Sequence, residues 1–435
     1  IGFCIIYFQS SLSISVNDYS GNLSRRKAYS LNKHNNQNFR PLNILALGGS
    51  VTWGAAISNR YDAYPYLIGN LHPDSRVDNL AIRATGASYP ASCIQSMIEE
   101  ESQNSFFKRN ETINSRDGTS KMSHEALKGD EIVYDLIFLE FSINGFPGAE
   151  FLLARLKKRY PDAIIVYVHL QSLVSPTRLE LTEIFFSQLM KPHDGLYYMF
   201  PIEQLNDAKA AELFADDRHH LSHIGHKFVA HGLSALLQTF LNAKNNLIPR
   251  KPRLGTWGAG DQCYMWLSSE GKFPISVQAD GGKYCMFDEK KHKYSYEVEY
   301  GNDATLSFRR KDFNFDMKQI NIPIHVVQMT KGNPPDYPKT EINLNYNNAE
   351  YKSKYVIDPR EDPLFPEWSW AHLTSPQNVG FTTPGLNTLS IQPLEKTKEP
   401  FRIVGIIICG ACVEMNQTSF HLLHRVNNIR LRIPQ

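Results

Sequence analysis

At 435 residues the chain is long enough for two domains and a sizeable core. Its 46 basic and 44 acidic residues leave a formal net charge of +2, so no global field draws it to nucleic acid. It has no long like-charge run, internal repeat or low-complexity tract, so neither a charged tail nor a repeat array is expected.

The sequence starts IGFCIIYF, an apolar stretch that turns polar at Gln9. A bilayer span needs about 20 apolar residues, so this segment is too short to cross one. Residues 1–40 read as an extension carrying the remnant of a signal peptide, or the end of an anchor upstream of Ile1. Sequons at Asn22, Asn110 and Asn416 fit the same expectation of a secretory-pathway, glycosylated protein, extracellular or lumenal.

Leu42–Leu47 (LNILAL) has the length and apolarity of a buried parallel strand and breaks at Gly48-Gly49-Ser50. A glycine turn there delivers the Ser50 hydroxyl to the carboxyl edge of a sheet, where open α/β folds bind ligands. Taken alone, Gly-Gly-Ser is an ordinary turn. A helix over Tyr64–Leu71 and a strand over Val77–Ile82 follow, the latter running into Gly86. A glycine here lets the backbone N–H approach a developing negative charge. Glu101–Gly129 is polar, lacks periodicity and reads as a surface insertion.

A third strand, Tyr134–Phe141, runs into Ser142-Ile143-Asn144-Gly145, where the Asn144 amide could serve as an oxyanion donor. Helix over Glu150–Tyr160, strand over Ala163–Leu170 and helix over Leu179–Leu189 continue the alternation, which predicts a parallel sheet covered on both faces. In DDRHHLSHIGH, Asp217 lies three residues before His220, with a helix from about Ser222 to Asn242 after it. A carboxylate in that place can accept the imidazole Nδ1–H and leave Nε2 free as a base. His219 and His223 have helical spacing for a metal, but no HExxH glutamate or nearby cysteine accompanies them, so neither metal nor other cofactor is expected.

Ser50, Gly86, Asn144 and Asp217-x-x-His220, in this order, resemble the four sequence blocks of the SGNH (GDSL-type) hydrolase superfamily over roughly Leu42–Asn242. The resemblance implies a flavodoxin-like parallel sheet flanked by helices and an ester-bond hydrolase. It makes Ser50 the nucleophile, His220 the base and Asp217 its orienting carboxylate. The Ser50 and Gly86 N–H groups and the Asn144 amide would form the oxyanion hole. Two positions depart from the pattern: Gly49 stands where the family has Asp before the serine, and Gly145 where it has Asp after the asparagine. Asp216 and His219 form an equal Asp-x-x-His pair one residue earlier, and triad geometry alone does not choose between them; the spacing to Gly225-His226 in the family pattern favours Asp217 and His220.

The basic, proline-containing stretch Ala243–Arg253 reads as a linker, dividing a catalytic part (41–243, linker 244–254) from residues 255–435. Beyond it, Tyr294–Tyr300, Ile320–Val326 and Ile342–Tyr346 alternate with period two, and an apolar run spans Ile403–Cys409, predicting an antiparallel β-sandwich or jelly roll. Trp257, Trp266, Trp368 and Trp370 are core candidates first and sugar-stacking candidates second. Cys263 and Cys285 could pair, and Cys409 and Cys412 read as buried thiols or a redox motif. The expected partner is an ester, with an acylated glycan among the candidates; the alternatives are an O-acyltransferase acting on a sugar hydroxyl and a weakly catalytic glycan binder.

Overall fold

The computed structural model describes residues 41–100, 132–143, 148–174, 189–190, 195–200, 207–243, 253–310, 321–360 and 371–409, short breaks within these stretches excepted. Leu42–Gln435 forms one compact unit. Among the described residues its first half holds five strands: β1 (Asn43–Gly48), β2 (Arg76–Asn79), β3 (Leu136–Glu140), β4 (Ile164–His169) and β5 (Leu196–Met199). All pair in parallel, in the order β2-β1-β3-β4-β5. The order reverses between β1 and β3, and such a switch point opens a crevice at the carboxyl ends of those strands. This is the flavodoxin-like sheet that the sequence implies.

Both faces of the sheet are covered, in keeping with the largely apolar runs of β1, β3 and β4. Leu45, Leu47, Ile137 and Leu139 face one core, which is closed by Ile94 and Ile98 of the helix at 88–100 (α3) and by Leu152 and Leu156 of α4 (Ala149–Arg159). Ile44, Ala46, Leu136 and Phe138 face the other, against α2 (Tyr64–Leu71) and α6 (His223–Ala243). This half also holds two short helices, α1 (Ser50–Trp53) and α5 (Asp207–Glu212). β2 stops at Asn79, short of the expected Ile82, because the Asn79 side chain accepts the Ala81 N–H and donates to the Thr52 carbonyl, bending the chain. Most of the helix expected over Leu179–Leu189 lies outside the described residues, as do Asn22, Asn110, Asn416, Trp368 and Trp370.

The second half is antiparallel. One sheet runs β7 (Val277–Asp280), β10 (Ala304–Arg310), β16 (Gly385–Pro393), β12 (Thr340–Tyr346), β13 (Ala349–Ile357). The other runs β8 (Lys283–Asp288), β9 (Lys293–Val298), β17 (Phe401–Cys409), β11 (Ile322–Lys331), β14 (Ala371–Leu373), with β6 (Asp261–Met265) paired to β17 and β15 (Gln377–Thr382) to β11. From the first sheet Leu306, Phe308, Ile342, Leu344, Leu389 and Ile391 point inward, and they meet Ile324, Val326, Ile403 and Ile406 of the second between the sheets. Trp266 is part of this interior, its Nε1–H donating to the Ile403 carbonyl at 2.8 Å, so it is core and not a sugar platform. Trp257 packs edge-on against Tyr160.

All nine residues of β17 are buried. Ile403, Ile406 and Ile408 face the interior between the sheets, while Val404, Ile407 and Cys409 face a different cluster that contains Tyr89 and Cys93 of α3. The second half is therefore packed on the first, across the stretch that the sequence reads as a linker. Cys263 confirms the contact: it is disulfide-bonded to Cys93, and Cys285, its expected partner, is a free thiol. The pairing follows from packing, since β6 lays Cys263 against α3 while Cys285 sits on β8, two strands beyond β17. Cys409 is disulfide-bonded as well.

Candidate active site

β1 ends at Gly48, and the chain turns through Gly49 into α1 with Ser50 as its first residue. A side chain at Gly48 would sit 2.3 Å from Thr52 Oγ and 2.7 Å from the Glu140 carbonyl oxygen, so only glycine lets the turn close against β3. Ser50 is 8% exposed. Its Oγ lies 2.8 Å from His220 Nε2, and His220 Nδ1 lies 2.6 Å from Asp217 Oδ2. The second Asp217 oxygen accepts the backbone N–H of His220 at 2.9 Å and of His219 at 3.0 Å.

The loop carrying Asp217 and His220 is closed at its base by a Phe214–Leu221 bridge and by the Ala215 N–H on the His220 carbonyl. Arg218 adopts the left-handed region at φ 54, a conformation that costs a non-glycine residue about 1–2 kcal/mol. The reversal it makes lets Asp217 reach its own downstream amides and imidazole. Ser222 Oγ accepts the Gly225 N–H at 3.1 Å and so caps the start of α6. Gly225 is required there because any side chain would meet the Leu213 carbonyl.

His219 points elsewhere: its Nδ1 lies 3.0 Å from Ser172 Oγ. The structure thus joins Ser50 to the later of the two Asp-x-x-His pairs. Burial raises the Asp217 carboxyl, but the backbone and imidazole N–H groups of His220 and the His219 amide outweigh it and bring it down to about 2. A carboxylate held ionised on Nδ1 fixes the tautomer that presents a bare Nε2 to the serine.

Gly86 stands in the loop after β2 and is half-buried; earlier in that loop Ile82 donates its N–H to the Gly48 carbonyl at 3.0 Å, which sets the loop beside the Ser50 turn. Asn144 lies outside the described residues. No group of three or more His, Cys, Asp and Glu side chains able to hold a metal occurs among the described residues.

The sequence reading missed Glu140. It is the last residue of β3 and wholly buried, and one carboxylate oxygen accepts the Thr52 hydroxyl at 3.1 Å while the other accepts the Ser142 N–H at 3.2 Å. Burial pushes the carboxyl up to about 7, against the Thr52 hydroxyl and the amides of Ser142, Gly49 and Thr52, which favour its charged form. Because Thr52 donates to Glu140, the Tyr64 hydroxyl donates to Thr52 Oγ at 3.0 Å. The Tyr64 N–H in turn donates to Nδ1 of His226, whose burial brings it down to about 3 and keeps it neutral. The turn that carries Ser50 is therefore braced by β3, α2 and α6. The signal available in the sequence is a single acid at the end of the apolar run LIFLEF.

A parallel sheet with this order and a Ser-His-Asp hydrogen-bonded series at its switch point define an α/β protein with a serine-hydrolase type of site. No protein-family model matches the chain, and no curated protein does. Among solved structures it is similar to a two-domain esterase active on acetylated mannans, co-crystallised with mannopentaose, at 16% identity, over 85% of this chain and 92% of that one, with a TM-score of 0.46. The family 3 carbohydrate esterase of Clostridium thermocellum is similar at 13% identity, over 47% of this chain and 99% of that one, with a TM-score of 0.33. A G-D-S-L family protein from Desulfitobacterium hafniense DCB-2 is similar at 13% identity, over 45% of this chain and 99% of that one, with a TM-score of 0.30. These are likenesses of fold.

Proposed function

We propose that the protein is a serine esterase that removes acetyl or other short acyl groups from carbohydrate hydroxyls through an acyl-enzyme. The observation that carries the chemistry is the series Ser50 Oγ–His220 Nε2–Asp217 Oδ2 at 2.8 and 2.6 Å. Ser50 Oγ attacks the acyl carbon as its proton passes to His220 Nε2, and Asp217 stabilises the resulting imidazolium. The N–H groups of Ser50 and Gly86 are the proposed donors to the oxyanion; one such donor contributes about 3–4 kcal/mol in related reactions. Collapse expels the alcohol, which takes the proton from His220. Water then attacks the acyl-Ser50, with His220 again as base, and releases the carboxylic acid.

For the alcohol we propose a sugar, the class of substrate named for the two-domain esterase. For location we propose the secretory pathway, where a Cys93–Cys263 disulfide would persist. Assay of p-nitrophenyl acetate and of acetylated mannan with wild type and Ser50→Ala tests the reading. Ser50-dependent release of acetate from the glycan is the expected result, and equal turnover by the two proteins would overturn it.

A further inference from the structure

An oxyanion donor works only if it is held still, so the esterase reading raises the question of what fixes Gly86. Its loop is bracketed by Ile82 and Tyr89, and both pack in the cluster that contains Cys263, Val327, Val404 and Ile407 of the second half. Between them, the Arg83 guanidinium lies 4.7 Å from the Trp53 ring centroid and is attracted by Asp288 of β8. α3 follows the loop directly, and Cys93 on it is bonded to Cys263 of β6.

One buried ion pair reaches into the turn of α3 around Cys93. Arg155 of α4 donates to the Ala91 carbonyl at 2.7 Å and the Ser92 carbonyl at 3.1 Å, and pairs with Asp261 of β6 at 2.7 Å. Asp261 accepts the Gln95 N–H at 3.3 Å, the Ser96 N–H at 2.9 Å and the Ser96 hydroxyl at 2.7 Å. Carbonyls 91 and 92 and amides 95 and 96 are ladder partners in an α-helix. The guanidinium thus takes the two carbonyls of one turn and the carboxylate takes the two amides, and both ions are sequestered, at 5% and 0% side-chain exposure.

We propose that Asp261 is a positioning residue for ester hydrolysis: from the second half of the chain it fixes the first turns of α3 and, through them, the Gly86 loop. This rests on the esterase reading. The antiparallel half then acts on the reaction itself, beyond any role in docking a polymer. Asp261 touches no substrate; it acts through α3.

The test uses the full chain with p-nitrophenyl acetate, and kcat is referred to the fraction of Ser50 titrated in the initial burst of p-nitrophenol. Asp261→Asn should lower kcat about 10-fold or more while KM stays within about twofold, the pattern of an interaction made only in the transition state. Ser96→Ala keeps the ion pair and removes the hydroxyl's contacts to the Asp261 carboxylate and carbonyl and to the Cys263 N–H; a smaller loss with the same split is expected, and this variant decides the matter if Asp261→Asn does not fold. Unchanged kcat per titrated site in the folded variants, with only a lowered melting temperature, makes Asp261 merely structural and overturns the proposal. A wild type without Ser50-dependent hydrolysis overturns the esterase reading and this proposal together, whereas an active wild type with unaffected variants overturns this proposal alone.

Discussion

Thr52 and Glu140, 88 residues apart in sequence, meet in the wholly buried space beneath the nucleophile turn, the Thr52 hydroxyl donating to the Glu140 carboxylate at 3.1 Å. Glu140 is raised to about 7 from 4.5, so its neutral form is the one that folding favours. Its contribution to stability is fully present below pH 4.5 and is lost as the pH rises through about 7. Urea unfolding midpoints should therefore fall across that window in wild type. Glu140→Gln, neutral at every pH, should show a flatter profile, and parallel profiles in the two proteins would refute the assignment.

His220→Ala should reduce ester hydrolysis roughly 10³-fold or more, as removal of a triad base does. His219→Ala should cost far less, because its ring is engaged with Ser172 and not with Ser50. Steady-state kinetics of both variants on p-nitrophenyl acetate check the choice, and the reverse order of losses would contradict it.

Asp217 has the opposite linkage to Glu140. Its carboxyl is lowered from 3.8 to about 2, so its contribution is present above pH 3.8 and lost as the pH falls through about 2. Acid loss of kcat/KM above pH 4 should consequently follow another group, and Asp217→Asn should lower kcat about 10²–10⁴-fold. Steady-state kinetics on p-nitrophenyl acetate check this, and an Asp217→Asn protein with wild-type kcat would refute the role of the carboxylate.

A chain ending near Lys251 keeps Ser50, Asp217 and His220 but strips Cys263, Val404 and Ile407 from Tyr89 and Cys93, and leaves Arg155 without Asp261. Breaking a buried ion pair this way costs about 3–5 kcal/mol. Loss of the disulfide adds about 2–5 kcal/mol. The truncated protein should be insoluble or inactive on small esters, as solubility and p-nitrophenyl acetate assays would reveal; a soluble, fully active product would restore the view of an independent first half.

In the intact, non-reduced protein, of Cys93, Cys263 and Cys285 only Cys285 should be carbamidomethylated. It should react slowly at neutral pH, because burial, aided by Glu297, pushes its thiol up to about 11. Peptide mapping reads this directly.

The parallel sheet was legible because its strands are local apolar runs ending in turns, whereas a carboxylate three residues before an imidazole occurs twice, and only the resemblance favoured Asp217 and His220 over Asp216 and His219. Glu140 was not legible, since a lone acid in a strand acquires meaning only once Thr52 is folded over it. β5 (LYYM) was not recognised either, being too short for a periodic signal. The interface was half legible. Tyr294–Tyr300 alternate as a strand with one covered face would, but Ile403–Cys409 do not alternate, and a strand apolar at every position has two covered faces. That run already implied that something besides the sandwich interior lies against β17. The partner, α3, was beyond reach because neither Cys93 nor Asp261 carries any mark of the other at a separation of about 170 residues.

The 170 residues between Cys93 and Cys263 also set a schedule for biosynthesis. At about 5–20 residues per second, the ribosome needs roughly 10–30 s to deliver the second cysteine after the first. Throughout that interval Tyr89, Cys93 and Met97 emerge with no β17 to cover them, and the Cys93 thiol has no native partner. Nascent chains halted before residue 261 should accordingly be the species that chaperones and disulfide isomerases hold, and release should follow completion of the final strand.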